Sequence, residues 1–335
     1  MLPLPKNYSV TPKEVSELMR KHYAKLMQSF YESQSFFLSS VYKRYNSIET
    51  ANIVLCFARN VHLEIIRQRE KDLNFDVSLD NFWKNFNQIT KPTQKITSVV
   101  KITGIPKETV RRKIKGLLDT GFLIRDDKNK GYSWRLTPKD KDEFLKIINK
   151  ETKNLSRFIS SVVNSLKIKL DSTTIEKEIE SQFSFYWYHY LSCQLDWLKW
   201  WQLKLKDNDL LLISLQATIP TLQNINKKEN KINLENVYEH IGKIHTSKCN
   251  SSSVSATSVS DITGIPRATC IRKLDKLVYL GFLIRESKTK RYSINQTCNE
   301  RTKNIHNKEN IAFTISTFSE YISIIINSLI HNNKL

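Results

Sequence analysis

The sequence predicts a mainly α-helical chain that carries two small β-hairpins and is built as two similar halves in tandem. Three observations predict it. Thr97–Trp134 and Thr257–Ile294 align without a gap and share 21 of 38 residues, which marks a duplicated structural unit. Seven glycines and eight prolines in 335 residues leave room for long helices and few turns. The segments flanking each repeat place apolar residues at helical spacing. The length favours two domains, 1–170 and 171–335, each long enough to bury a core.

In chain order, Thr11-Pro12-Lys13-Glu14 forms a capping box with proline in the first turn. It opens a helix running towards Tyr45 through Val15, Leu18, Met19, His22, Tyr23, Leu26 and Phe30. Ser98–Thr103 is a short helical segment, Gly104 suits a tight turn, and Pro106 stands where a second helix begins. Val110, Ile114, Leu117 and Leu118 then form one apolar stripe on a helix over Lys107–Leu118. Gly121 ends it; "FLIRD", "DKNKG" and "YSWRLT" read as strand, turn and returning strand. Thr137-Pro138-Lys139-Asp140 opens a helix towards Leu170.

The second half repeats this order. The stretch Phe183–Trp201, "FSFYWYHYLSCQLDWLKWW", is read as the packed core where long helices of the two halves meet. An effector pocket and a membrane-surface helix are the competing readings. Ser251–Ser253 lie in a polar loop. The helix Arg267–Val278 carries the stripe Cys270, Leu274, Leu277 and Val278; Gly281 closes it, and "FLIRE", "SKTK" and "RYSIN" form the hairpin. "FSEYISIIINSL" at Phe318–Leu329 matches "LSRFISSVVNSL" at Leu155–Leu166. Upstream, "ESQSFF" from Glu32 resembles "ESQFSF" from Glu180, an offset of 148 rather than 160, which implies about a dozen residues gained in the second copy.

The net charge of +20 and a pI near 9.6 favour a polyanionic partner, nucleic acid before an anionic membrane surface. The five cysteines (Cys56, Cys193, Cys249, Cys270, Cys298) form no CxxC pair, which argues against a disulfide framework or zinc site. His189 has no ligand-spaced partner. The N-terminus has no apolar run of signal-peptide length, and Ile322–Ile330 is too short to span a bilayer. No Gly-rich phosphate loop, HExxH or GxSxG is present. The expectation is a soluble cytoplasmic, nucleoid-associated protein that is not an enzyme and uses no cofactor or metal.

Helix, tight turn, helix and hairpin in succession is the pattern of a winged helix-turn-helix. Opposite the apolar stripe, Arg112 and Arg272 occupy equivalent places, with Thr109 and Thr269 nearby. Arginine donates two bonds to guanine O6 and N7, and threonine meets a phosphate or a thymine methyl. Lys107, Arg111, Lys113, Arg267 and Lys273 surround them as candidate phosphate contacts. The hairpin tips add Lys128, Lys130, Lys288, Lys290 and Arg291. Between the copies Glu108 becomes Ala268, Arg111 becomes Ile271 and Lys115 becomes Asp275, so an imperfect palindrome is expected, with the first copy making the stronger electrostatic contribution. The competing reading is a solvated basic surface on a protein-interaction module.

The run "RDDKNKGYSWRLTPKDKDEF" resembles the MarR-like winged helix regulators, specifically over Ser98–Phe144 and Ser258–Thr297. The resemblance implies recognition helices at Lys107–Leu118 and Arg267–Val278, wings at Asp126–Gly131 and Glu286–Arg291, and terminal helices that form a dimer interface. It also implies a possible small-molecule effector. The chain departs from that family by holding two halves in one polypeptide, and by "NQTCNE" where "LTPK" would follow the second wing. The resulting expectation is a tandem winged helix-turn-helix pseudo-dimer with long flanking helices, monomeric, acting as a transcriptional regulator on double-stranded DNA. A plasmid-type replication initiator with paired winged helices and an interaction scaffold without DNA are the alternatives.

Overall fold

The computed structural model describes residues 9–168, 170–228, 232–237, 252–295 and 308–331. It is mainly helical, 73% helix, with two small antiparallel hairpins. The first half runs α1 (Pro12–Lys21), α2 (Tyr23–Tyr45), α3 (Ile48–Lys71), α4 (Leu79–Lys84), α5 (Ile96–Thr103), α6 (Lys107–Asp119), β1 (Leu123–Asp126), β2 (Gly131–Trp134) and α7 (Pro138–Ser165). The second runs α8 (Ser172–Ser181), α9 (Phe183–Leu205), α10 (Asn208–Lys228), α11 (Ala256–Thr263), α12 (Arg267–Tyr279), β3 (Leu283–Arg285), β4 (Tyr292–Ile294) and α13 (Lys308–His331).

The duplication extends well beyond the 38 aligned residues. α1 and α8, α2 and α9, α3 and α10, α5 and α11, and α6 and α12 each start 160 residues apart. Even the junctions match: Asn46 (φ 55°) and Lys206 (φ 57°) take the same left-handed conformation between consecutive helices. This corrects the upstream offset of 148. Glu32 lies in the middle of α2, whereas Glu180 lies at the end of α8, so the two similar strings occupy different structural positions.

The helix expected to run unbroken towards Tyr45 divides at His22. The Thr11 capping box forms as expected, with Glu14 N–H donating to Thr11 Oγ1 at 3.2 Å and Thr11 N–H to Glu14 Oε2 at 2.8 Å. At the break, Ala24 N–H donates instead to Ile232 O at 3.1 Å, a tertiary bond in place of the helical one. α7 stops at Ser165 rather than reaching Leu170, and Lys167 turns the chain at φ 64°.

The chain forms two compact units, and each draws on both sequence halves. The terminal unit comprises Met1–Lys43, Asn154–Ser172 and Asp209–Leu335; the central unit comprises Arg44–Lys153 and Thr173–Asn208. In the terminal unit α1 packs along α13. Asn327 clasps the backbone of Val10, accepting from its N–H at 2.7 Å and donating to its carbonyl at 2.9 Å. Phe30 of α2 meets Phe158 and Phe318 at centroid distances of 5.6 and 4.6 Å. Among the described residues, Glu309–His331 is long and apolar enough to cross a membrane by length and composition. Its Ile315, Phe318, Ile322, Ile325, Ile326 and Leu329 are buried in the core of this unit.

In the central unit α9 packs along α3 and against α5. The aromatic stretch is therefore core: Phe183, Tyr186, Tyr190 and Trp197 are fully or almost fully buried. The Tyr190 hydroxyl donates to Glu151 at 2.6 Å and accepts from Gln194 at 2.8 Å, so the polar tip of the ring is satisfied inside. Arg44 is buried beside Phe122 and Phe144, and its guanidinium pairs with Asp140 and Glu143 at the start of α7.

Candidate nucleic-acid interface

Both helix pairs turn on a left-handed glycine, Gly104 at φ 69° and Gly264 at φ 76°. The preceding threonine locks each turn. Thr103 and Thr263 donate to the carbonyls of Val99 and Val259 and accept from the amides of Ile105 and Ile265. A Cβ on Gly104 would lie 3.2 Å from Lys199 Cγ of α9, and one on Gly264 would lie 2.6 Å from Lys43 Cγ of α2. Glycine is thus needed both for the backbone angle and for the close approach. α6 buries Val110, Ile114 and Leu117, α12 buries Cys270, Leu274 and Leu277, and each presents its opposite face outward.

On those outer faces Lys107, Arg111, Arg112, Arg267 and Arg272 are exposed, while Thr109 and Thr269 are half-buried beside them. Arg111 pairs loosely with Glu108 at 3.5 Å, and Arg267 donates to Thr257 Oγ1 at 3.1 Å. Lys113 and Lys273 turn inward. The Lys113 ammonium donates to Ser47 Oγ at 3.0 Å, and Lys273 pairs with Asp209 at 3.0 Å with both side chains largely buried. These lysines brace each outer helix against the start of α3 or α10. They lie one step further round the helix than the arginines, which takes them off the exposed face.

The hairpins pair Leu123 with Trp134 and Leu283 with Ile294. Each gains a third extended segment that sequence reasoning missed, through bridges from Gln94 to Tyr132 and from Val254 to Tyr292. One bridging residue offers no alternating pattern to detect. Lys128, Lys130, Lys288 and Lys290 are exposed at the tips. Lys130 and Lys290 sit at φ 48° and 58°, where a lysine is strained. Asp126 accepts from the Lys128 and Asn129 amides and the Asn129 side chain, and these bonds hold its carboxyl below the usual range. Arg291 departs from the tip and donates to Ser253 Oγ at 2.8 Å.

The two copies differ where helix meets hairpin. Asp275 of α12 accepts from the Tyr292 hydroxyl at 2.9 Å and from Arg285 at 3.4 Å, and Arg285 lies 5.4 Å from the Tyr292 ring centre. Burial, reinforced by the carboxylate, pushes the Tyr292 hydroxyl up to about 12. At the equivalent place in the first copy Lys115 is exposed, and Arg125 pairs instead with Asp127 at 2.9 Å. The position of Asp275 was noticed in the sequence only as a change of charge; its partners lie 10 and 17 residues away.

Near the base of the first hairpin is a cavity of about 440 Å³ lined by Phe86, Lys91, Ile124, Trp134, Arg135 and Thr137. Among the described residues no group of three or more His, Cys, Asp and Glu side chains gathers to hold a metal ion. Cys249, Ser251, Cys298 and the "NQTCNE" segment beyond Asn295 lie outside the described residues. No family model, no curated protein and no solved structure matches the chain.

Proposed function

We propose that the chain is a sequence-specific double-stranded DNA-binding protein and transcriptional regulator. In this reading each glycine-turned helix pair with its hairpin is a winged helix-turn-helix, with α6 and α12 as recognition helices and the hairpins as wings. One polypeptide then acts as a covalent pseudo-dimer on two half-sites. The observation that carries the reading is the recurrence of an exposed arginine, Arg112 and Arg272, at one position of two helices whose opposite faces are buried. Each helix is followed by a hairpin tip bearing two exposed lysines. Arginine reads guanine edges in the major groove, and tip lysines neutralise backbone phosphates. The net charge of +20 supplies long-range attraction to a polyanion.

The test is binding of the purified chain to random-sequence duplex DNA at about 50 and 200 mM salt, with light scattering of the free protein and the complex. Six to ten phosphate contacts predict a loss of about 10³–10⁵ in affinity across that range. A monomer bound to one duplex site fits the pseudo-dimer. Absence of binding at low salt refutes DNA recognition and leaves the interaction scaffold.

A further inference from the structure

We infer that Lys43 and Lys199 are backbone-phosphate contacts delivered across the duplication: the long helix of each sequence half supplies a lysine to the helix-turn-helix of the other half. This rests on the DNA-binding reading above and adds to it two contact residues and their crossed assignment.

The crossing follows from how the chain folds. Gly264, in the second half, meets α2 of the first. A Cβ there would lie 2.6, 3.4 and 3.0 Å from Lys43 Cγ, Cδ and Cε, so the lysine stem lies along the turn. Gly104, in the first half, meets α9 of the second. A Cβ there would lie 3.2 Å from Lys199 Cγ and 3.7 Å from Leu203. Leu203 is the counterpart of Lys43 at the offset of 160, and Lys199 stands one helical turn before it. The two long helices thus seat a lysine stem on the opposite half's glycine turn from positions one turn apart.

The cations at these turns are available. Lys43 is exposed and has no hydrogen bond or ion pair among the described residues. Lys113 and Lys273, by contrast, are engaged by Ser47 and Asp209. Lys199 is half-buried, with its charge felt by Asp196 one turn earlier. A stem already laid on a turn loses less freedom when its ammonium binds than one loose in solvent. In a helix-turn-helix the second helix puts its N-terminal residues against base edges, while the first crosses the backbone. The turn between them is therefore close to the phosphates at the groove's edge. Arg267 opens α12 three residues after Gly264, and Lys107 opens α6 three residues after Gly104. Each turn then has two cations from different halves, Lys43 with Arg267 and Lys199 with Lys107. Such contacts position the protein and release counterions without reading sequence.

The experiment uses the full chain with Lys43→Gln and Lys199→Gln, which keep most of the stem and lose the charge. Each variant should melt as the wild type does by circular dichroism. Each should weaken specific and random duplexes by the same factor and lower the slope of log affinity against log salt by about 0.9, the double variant by about twice that. Lys43→Arg should retain the wild-type slope. Ethylation interference on a selected site then locates the contacts. Lys43→Gln should lose a phosphate in the half-site whose base preference Arg272→Ala relaxes, and Lys199→Gln one in the half-site that Arg112→Ala relaxes. A lower melting temperature with an unchanged slope overturns the inference, because the stems would then only pack on the glycines. Loss of a phosphate in the half-site read by the lysine's own half overturns the crossed assignment. Binding with an unchanged slope leaves DNA recognition standing, whereas no binding to any duplex at low salt overturns both.

Discussion

Acid should destabilise this protein as pH falls below 6.5, and buried His62 is one identifiable reason. Its ring lies in the central unit, stacked on Phe82 at 4.7 Å and edge-on to Phe183 at 5.3 Å, with Nδ1 3.3 Å from Ser184 Oγ. Complete burial pulls its pKa from 6.5 down to about 3. The unfolded chain therefore takes up a proton below pH 6.5, while the folded chain stays neutral until about 3. This contribution is fully present above 6.5 and is lost as pH falls towards 3. The loss is about 1.4 kcal/mol per pH unit, or about 2 kcal/mol at pH 5, from a total of about 5–15 kcal/mol expected for a domain. Urea unfolding followed by tryptophan fluorescence at about pH 7.5, 6 and 5 measures it. His62→Phe provides the reference, because it keeps a ring between Phe82 and Phe183 and cannot titrate. His189, lowered in pKa, acts in the same direction as His62, and the raised carboxyls of Glu180 and Asp196 act in the other, so the difference between the two proteins is the quantity to read. Parallel stability curves for wild type and His62→Phe from pH 7 to 5 would refute the reasoning.

Gly264→Ala should cost about 1–2 kcal/mol for the left-handed angle, with a further loss from the 2.6 Å approach to Lys43; Gly104→Ala meets a softer contact, and calorimetry should show the smaller fall in Tm there. Arg44→Ala removes the cation paired with Asp140 inside the protein and should destabilise it by about 3–5 kcal/mol, read as a lower urea midpoint, with Arg44→Lys recovering only part because it lacks the planar fork. Lys128→Ala with Lys130→Ala should lower the salt slope of DNA binding by about 2 and weaken specific and random sequences alike, as filter binding across a salt series would show. An unchanged slope would remove the first hairpin from the proposed interface.

Much of the local architecture was legible because Gly104, Pro106 and Gly121, and their counterparts Gly264, Pro266 and Gly281, punctuate both copies. The helices Lys107–Leu118 and Arg267–Val278 each extend by only one residue, to Asp119 and Tyr279. What escaped was set by partners remote in sequence. The break at His22 depends on Ile232, and the inward turn of Lys113 and Lys273 depends on Ser47 and Asp209. A helical wheel shows which side of a helix is apolar; it does not show which flanking lysine finds an oxygen on a neighbouring helix. The mistaken offset of 148 arose because a short string was matched without its place in a helix. Within the candidate interface, the exposed arginines and tip lysines were legible from periodicity and turn position. The Asp275–Tyr292–Arg285 contact was not, because it joins a helix to a strand.

The clasp between Val10 and Asn327 has a consequence for how this protein is made. The two partners stand 317 residues apart, and the helices they join belong to one compact unit. A ribosome adding about 5–20 residues per second needs roughly 15–60 s to travel from one to the other. Throughout that interval α1 and α2 have emerged, but the α13 surface that covers them does not yet exist. The terminal unit cannot close before α13 has been made, and its early helices must be kept from wrong partners until α13 leaves the exit tunnel. Nascent chains halted before α13 should therefore expose Met19, Phe30 and their neighbours to holding chaperones, and release should follow arrival of α13 rather than the passage of any earlier helix.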